Sequence, residues 1–362
     1  VNEKIPSILL IDDDVQLLAE MSERLREALP ATEANVVTWT PSDGDGDIFN
    51  AFQQRLGDST ELVVTDWDLS TGARGLFGTS LMEWCKNVAI PAGDFSRGRP
   101  NALPKEPELF ELRVPVDPDE STRFIVKIFR GFRSLRTAVS ADDAVAGRHS
   151  LARLLAELLR RPHLEGEFGL YMSRLGASNA SLIQQARSDD LDEARKAQLI
   201  AYILGHVLLN SVLRYPGPLL KDEALCAYFG TTVTEADTLA ALFGEARYEG
   251  PFSEAERIYW RETVDTILER LSEGMDGAEY ADFGDFNRAV VQRRLNRRLD
   301  AHGCSREACG GLKGGFWCPF TTRPVCVRAD CSVPSSSWIP EGAQLCRVER
   351  EFYDEWAPIM AL

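Results

Sequence analysis

The sequence predicts an α/β domain with a parallel sheet, then a helical region, then a cysteine-rich segment. Two short apolar runs, Ser7-Ile-Leu-Leu-Ile11 and Leu62-Val-Val64, lead into acid, at Asp12-Asp13-Asp14 and at Asp66 with Asp68. Amphipathic stretches alternate with such runs to about residue 138, after which apolar spacing turns helical. Six of the eight cysteines then fall between Cys304 and Cys346. These observations divide the 362 residues into a first domain over 1–138, a helical domain over 139–300 and a Cys-rich segment over 301–362.

In chain order, Ser7 to Ile11 reads as a strand covered on both faces, because its apolar run is continuous rather than alternating. Val15 to Leu29 places Val15, Leu18, Met21, Leu25 and Leu29 near helical spacing, and Pro30 closes the segment. Asn35 to Thr40 predicts a short strand. Asp47 to Leu56 predicts a helix with Ile48, Phe49, Phe52 and Leu56 on one face, and Glu61 to Thr65 the third strand. A loop with Gly72, Gly75 and Gly78 follows, where glycine permits tight turns and close approach of backbone to an anion. Thr79 to Asn87 is the next helix, and Val88 to Ala92 a fourth strand running to Ser96. Pro100, Pro104 and Pro107 exclude a regular helix from the stretch that follows. Leu109 to Val116 is the fifth strand. Arg123 to Val139 closes the domain as a helix with Phe124, Ile125, Ile128, Phe129, Phe132 and Leu135 inward.

Composition narrows the function. A formal charge of −16 argues against a general nucleic-acid binder. No run of 18 apolar residues and no signal-peptide pattern is present, so the expected location is the cytoplasm, with reduced thiols and no membrane association.

Ligands bind at the carboxyl ends of strands in open α/β sheets, and here two strands carry acid to equivalent ends. Clustered carboxylates repel one another and are tolerated around a hard cation. With Asp12 and Asp13 after strand one, Asp66 after strand three, and Ser96 five residues beyond Pro91, residues 1–138 resemble the receiver domain of two-component response regulators. The resemblance implies a flavodoxin-like (βα)5 fold, Mg²⁺ held by Asp12, Asp13, Asp66 and the backbone carbonyl of Asp68, and phosphorylation of Asp66. Ser96 would then bond the phosphoryl group. It also implies a sensor histidine kinase as phosphodonor, with the chain a phosphoacceptor rather than a dedicated catalyst. Two departures stand out. Val114 occupies the position of the family's strand-five lysine, with Arg113 adjacent and Lys105 more distant, and the proline-rich stretch replaces the fourth helix.

In the middle region, Ser150 to Arg160 is amphipathic and Arg195 to Leu213 nearly apolar, the latter ended by Pro216 and Gly217. His206 on that helix reads as a core histidine. Leu225 to Phe229 and Ala236 to Phe243 can be drawn as a helix-turn-helix, but Asp222, Glu223, Glu235 and Asp237 have the wrong sign for DNA. Glu254 to Leu271 predicts another helix. Phe286 to Leu299 is a helix with Arg288, Arg293, Arg294, Arg297 and Arg298, either a solvated face or a docking face for an acidic partner protein or RNA.

The cysteine series sits in a segment rich in Gly, Pro and Ser, with little apolar surface to fold it. Structural Zn²⁺ would organise it, and the two Cys-x4-Cys pairs make Cys304, Cys309, Cys326 and Cys331 the favoured ligands. Cys318, Cys346 and His302 are the alternatives. The sequence as a whole predicts an atypical response-regulator-type signalling protein acting through protein–protein contacts of residues 139–362. An unphosphorylated pseudo-receiver adaptor is the main alternative, and an enzyme with its active site in the C-terminal half a third.

Overall fold

The computed structural model describes residues 4–42, 46–95, 109–141, 150–175, 180–186, 191–280, 282–301, 304–306, 309, 315–334 and 338–358. The chain forms two compact units, Val1–His149 with Asn179–His206, and Ser150–Ser178 with Val207–Leu362.

The first unit is built on a five-stranded parallel sheet of order β2-β1-β3-β4-β5. Its elements are β1 (Ser7–Ile11), α1 (Val15–Ala28), β2 (Asn35–Trp39), α2 (Ile48–Leu56), β3 (Thr60–Asp66), α3 (Gly78–Asn87), β4 (Ala92–Phe95), β5 (Leu112–Val114) and α4 (Pro118–Ala141). Asp14 starts α1 by accepting from the amides of Gln16 and Leu17, and Asp47 starts α2 in the same way. The third acid of the first cluster is therefore a helix cap.

Both sheet faces are covered, as the continuous apolar strands require. Leu9, Ile11, Val63 and Ala92 share one core with Phe52, Leu56, Leu81 and Cys85 of α2 and α3. On the other face Leu62, Val64, Leu112 and Val114 meet Phe124, Ile125 and Ile128 of α4 around a cavity of about 10 Å³. Gly93 belongs there because a Cβ would lie 2.9 Å from the Leu112 carbonyl oxygen.

Two strands are shorter than the sequence suggests. Ala89 adopts φ 49°, and the amides of Val88, Ala89 and Ile90 bond back to the last turn of α3, so β4 begins only at Ala92. Leu109 and Phe110 lie in a turn, and Pro115 offers no N–H to continue β5. The stretch 96–108, with Ser96, Lys105 and the three prolines, lies outside the described residues.

The nearly apolar helix runs from Glu193 to Val207 and ends in a π-helical turn, Leu208–Val212. Residues 179–206 belong to the first unit, and His206 is fully buried there against Phe110, Phe132 and Tyr202, at ring distances of 5.1, 5.0 and 4.6 Å. Burial pushes the imidazole down to about 3, so it is a neutral core histidine.

The second unit is not helical throughout. Leu219–Lys221 (β6) pairs antiparallel with Ile258–Trp260 (β7), so the predicted helix over Glu254 to Leu271 is a strand followed by a helix over Arg261–Leu271. The bulky trio Ile-Tyr-Trp, buried at every position, favours extended backbone over the helical spacing that surrounds it. Helices Asp222–Tyr228, Ala236–Leu242, Arg261–Leu271 and Phe283–Leu295 enclose a core with Leu225, Phe229, Phe243, Tyr259 and Val290. Much of the arginine-rich face bonds within the chain. Arg288 donates to the Gly230 carbonyl at 2.7 Å, Arg293 to the Glu273 carbonyl at 3.0 Å, and Arg297 pairs with Glu235 at 2.7 Å. Short antiparallel pairs complete the unit, Phe316–Cys318 (β8) with Arg323–Val325 (β9), and Ser332–Val333 (β10) with Val348–Glu349 (β11). Among the described residues no helix is long and apolar enough to cross a membrane.

Phe52 is fully buried, stacked on Trp39 at 5.9 Å and edge-on to Trp84 at 5.7 Å. Phe52→Ala is expected to cost about 3–5 kcal/mol in urea denaturation of the first unit's signal. A loss under about 1 kcal/mol would show that this core is not assembled as described.

Candidate functional site

Parallel register carries Asp12 and Asp66 to the same end of the sheet, because Ile11 pairs with Thr65. Asp12, Asp13 and Asp66 each place a carboxylate oxygen within 4.8 Å of the others, an arrangement able to hold a metal ion. Asp12 is only 3 % exposed. Its Oδ1 accepts from the Asp14 amide at 2.8 Å, while its Oδ2 is buried with no hydrogen-bond partner among the described residues. An ionised buried oxygen with nothing opposite it is costly, and a cation would supply what is missing.

The electrostatics agree with the geometry. Burial pushes the Asp12 carboxyl up to about 6, helped by the charges of Asp66, Asp13 and Asp14 and opposed by the Asp14 amide. Burial also raises Asp66, with the Asp68 and Trp67 amides pulling the other way and Asp13 and Asp68 adding to the rise. The Asp68 side chain stands apart. The Ser70 hydroxyl and then the Ser70 amide, which donates at 3.0 Å in a local turn, hold it below its usual range, while its own amide donates to Asp66 Oδ2 at 3.1 Å.

Val114 is in register with Phe95, which is in register with Asp66. It is 2 % exposed and packs among the apolar side chains of β3, β5 and α4. Arg113 points to the other face and pairs with Glu111 at 3.5 Å. Strand five thus ends in an apolar side chain turned into the core, in register with Phe95 and, one strand further, Asp66.

One contact at this site has no sequence signature. The Gly72 amide donates to Asp13 Oδ2 at 3.2 Å. Gly72 lies in the strap Trp67 to Phe77, which is pinned by buried Leu69, Ala73 and Leu76 and closed by a bridge between Asp68 and Phe77. The two leucines inside a glycine-rich loop were the available hint that the loop packs inward.

The second cluster lies in the other unit. Cys304, Cys309, Cys326 and Cys331 each bring a sulfur within 4.8 Å of the rest, and Cys309 Sγ is 3.7 Å from Cys326 Sγ. Four sulfurs at that spacing could hold a metal such as zinc. Cys326 and Cys331 flank the turn between β9 and β10, where the Cys331 amide bonds to the Arg328 carbonyl at 2.9 Å. Arg328 donates to the Cys309 carbonyl at 3.0 Å. Burial and neighbouring sulfurs raise the Cys326 and Cys331 thiols. Cys318 and Cys346 are outside the cluster. Cys318 Sγ accepts from the Glu349 amide at 3.3 Å, and Cys346 Sγ lies 3.8 Å from the Pro216 carbonyl oxygen. His302 is outside the described residues.

Comparison with protein-family models finds no matching family, and comparison with curated proteins finds no matching relative.

A carboxyl whose pKa is raised on folding stabilises the fold below its unfolded value and loses that contribution as pH climbs through the folded one. In chelator, the protein should therefore lose on the order of 2–3 kcal/mol as pH rises from about 4 to 7 through Asp12. Asp12→Asn should remove that loss and be the more stable protein at pH 7.5, as read from urea midpoints. Parallel pH profiles for the two proteins would contradict the burial of this charge.

Proposed function

We propose that the protein is an atypical receiver-type signalling protein that accepts a phosphoryl group on Asp66 from a partner sensor histidine kinase. The reading rests above all on Asp12, whose buried oxygen, without a partner among the described residues, stands beside the Asp66 carboxylate at a strand end. An oxygen of Asp66 attacks phosphorus as the bond from phosphorus to the donor imidazole nitrogen breaks, giving an aspartyl phosphate and a neutral donor histidine. Asp12, Asp13, Asp66 and the carbonyl of Asp68 would hold Mg²⁺, which when bound neutralises charge on the incoming group. The Asp68 amide, already on Asp66 Oδ2, keeps the acceptor side chain oriented. Ser96 is assigned the bond to the phosphoryl group. The four cysteines take Zn²⁺ in a structural role, and output proceeds through contacts with partner proteins in the cytoplasm.

A second reading, an adaptor that keeps the fold without phosphorylation, is favoured by Val114, which leaves strand five with no cation to pair with a phosphoryl group. A small-molecule phosphodonor with Mg²⁺ separates the two. Phosphorylation should add the mass of one phosphoryl group, lost on mild base treatment and absent from Asp66→Asn, and an unchanged wild-type mass would leave the adaptor.

Protein purified without chelator should carry about one zinc per chain, with Cys326→Ser losing most of it. Less than about half an equivalent in the wild type would remove zinc from the reading.

A further inference from the structure

Each of the three carboxylates at the sheet end accepts from a backbone amide, and Asp66 also feels the amide of Trp67. Asp14 donates to Asp12 Oδ1 at 2.8 Å, Gly72 to Asp13 Oδ2 at 3.2 Å, and Asp68 to Asp66 Oδ2 at 3.1 Å. Two of these tethers are local turns in which the amide two residues on returns to the aspartate. The third comes from 59 residues away along the chain. Only glycine fits there: a Cβ on Gly72 would lie 2.4 Å from the Pro41 carbonyl oxygen and 3.1 Å from Asp13 Cβ.

The tethers decide what a cation can use. A carboxylate with one oxygen on an N–H offers the other as a single ligand. Three such carboxylates offer three single oxygens and leave the remaining positions to water, a carbonyl or a phosphoryl oxygen. Mg²⁺ and Mn²⁺ suit that set, being small and octahedral, whereas Ca²⁺ takes 6–8 oxygens and commonly draws both from a carboxylate. Asp12 Oδ2 is the clearest of the three, since it is buried and has no partner among the described residues.

We infer that the Gly72 amide is the contact that sets cation specificity at this site, by keeping Asp13 to one coordinating oxygen and so favouring a small octahedral dication over Ca²⁺. The inference rests on the reading of Asp12, Asp13 and Asp66 as a cation site and adds what selects the ion. Gly72 is a positioning residue: it touches Asp13, not the ion.

Calorimetric titration of the full chain with Mn²⁺ and, separately, with Ca²⁺ tests it. The wild type should prefer Mn²⁺. Gly72→Ala should lower Mn²⁺ affinity about tenfold while Ca²⁺ affinity holds or rises, so that the ratio of the two falls about tenfold. Asp13→Glu, which leaves the strap intact but carries the carboxylate past the Gly72 amide, should move the ratio the same way even if Gly72→Ala folds poorly. A general loosening would weaken both ions alike, and a ratio unchanged in Asp13→Glu and in any folded Gly72→Ala overturns the inference alone. A wild-type protein that binds neither ion overturns the cation reading and this inference with it.

Discussion

Mutual repulsion among Asp12, Asp13 and Asp66 is the constraint around which the first unit is arranged. Three carboxylates with oxygens within 4.8 Å of one another, one of them almost wholly buried, oppose folding when ionised without a counter-ion. Parallel pairing of β1 with β3 forces them together, and the same pairing buries the apolar runs that hold the sheet. The site and the core therefore cannot be separated: the strands that supply the hydrophobic stabilisation deliver the charges at their ends. Backbone amides relieve part of the strain by taking one oxygen from each acid, and a proton relieves part of it when no cation is present.

The two clusters are of opposite chemical kinds. The acids offer hard oxygen ligands at the edge of a well-packed sheet that has its own core. The cysteines offer soft sulfur ligands in a region held by two- and three-residue strands, where the apolar surface available for folding is small. An ion at the first site would mainly act on a reaction or a conformational balance, since Phe52, Leu81 and their neighbours already fix the fold. At the second it would mainly hold structure, drawing the strand ends around Cys326 and Cys331 toward Cys304 and Cys309.

What was legible in the sequence was what depends on local pattern. The apolar runs of β1 and β3, the acids that end them, and the two Cys-x4-Cys pairs all lie where their spacing puts them. What was not legible depends on partners far along the chain. Val88 to Pro91 has the composition of a strand, yet hydrogen bonds into the end of α3 turn it away from one. Ile258-Tyr-Trp260 is hidden inside helical spacing and becomes a strand only because Leu219 to Lys221 pairs with it. Cys318 and Cys346 stayed open as alternatives to the favoured four until the fold placed their sulfurs beside backbone groups of their own. The Gly72 tether needs the strap to pack against Pro41, and nothing at either position announces that contact.

Val114 then acquires a physical meaning beyond the absence of a lysine. Its side chain fills the space between β5 and α4, and the cavity of about 10 Å³ beside it has no room for an ammonium group with its water. A lysine there would have to leave that core to reach Asp66. Three ionised carboxylates and one dication leave a net negative charge, and a phosphoryl group arriving on Asp66 adds more. On the proposed reading, no cation among the described residues of strand five meets that charge, since Arg113 pairs with Glu111, and the Asp68 amide on Asp66 Oδ2 supplies only a partial one. On that reading, Val114 therefore supplies packing to the core and no charge to the acceptor.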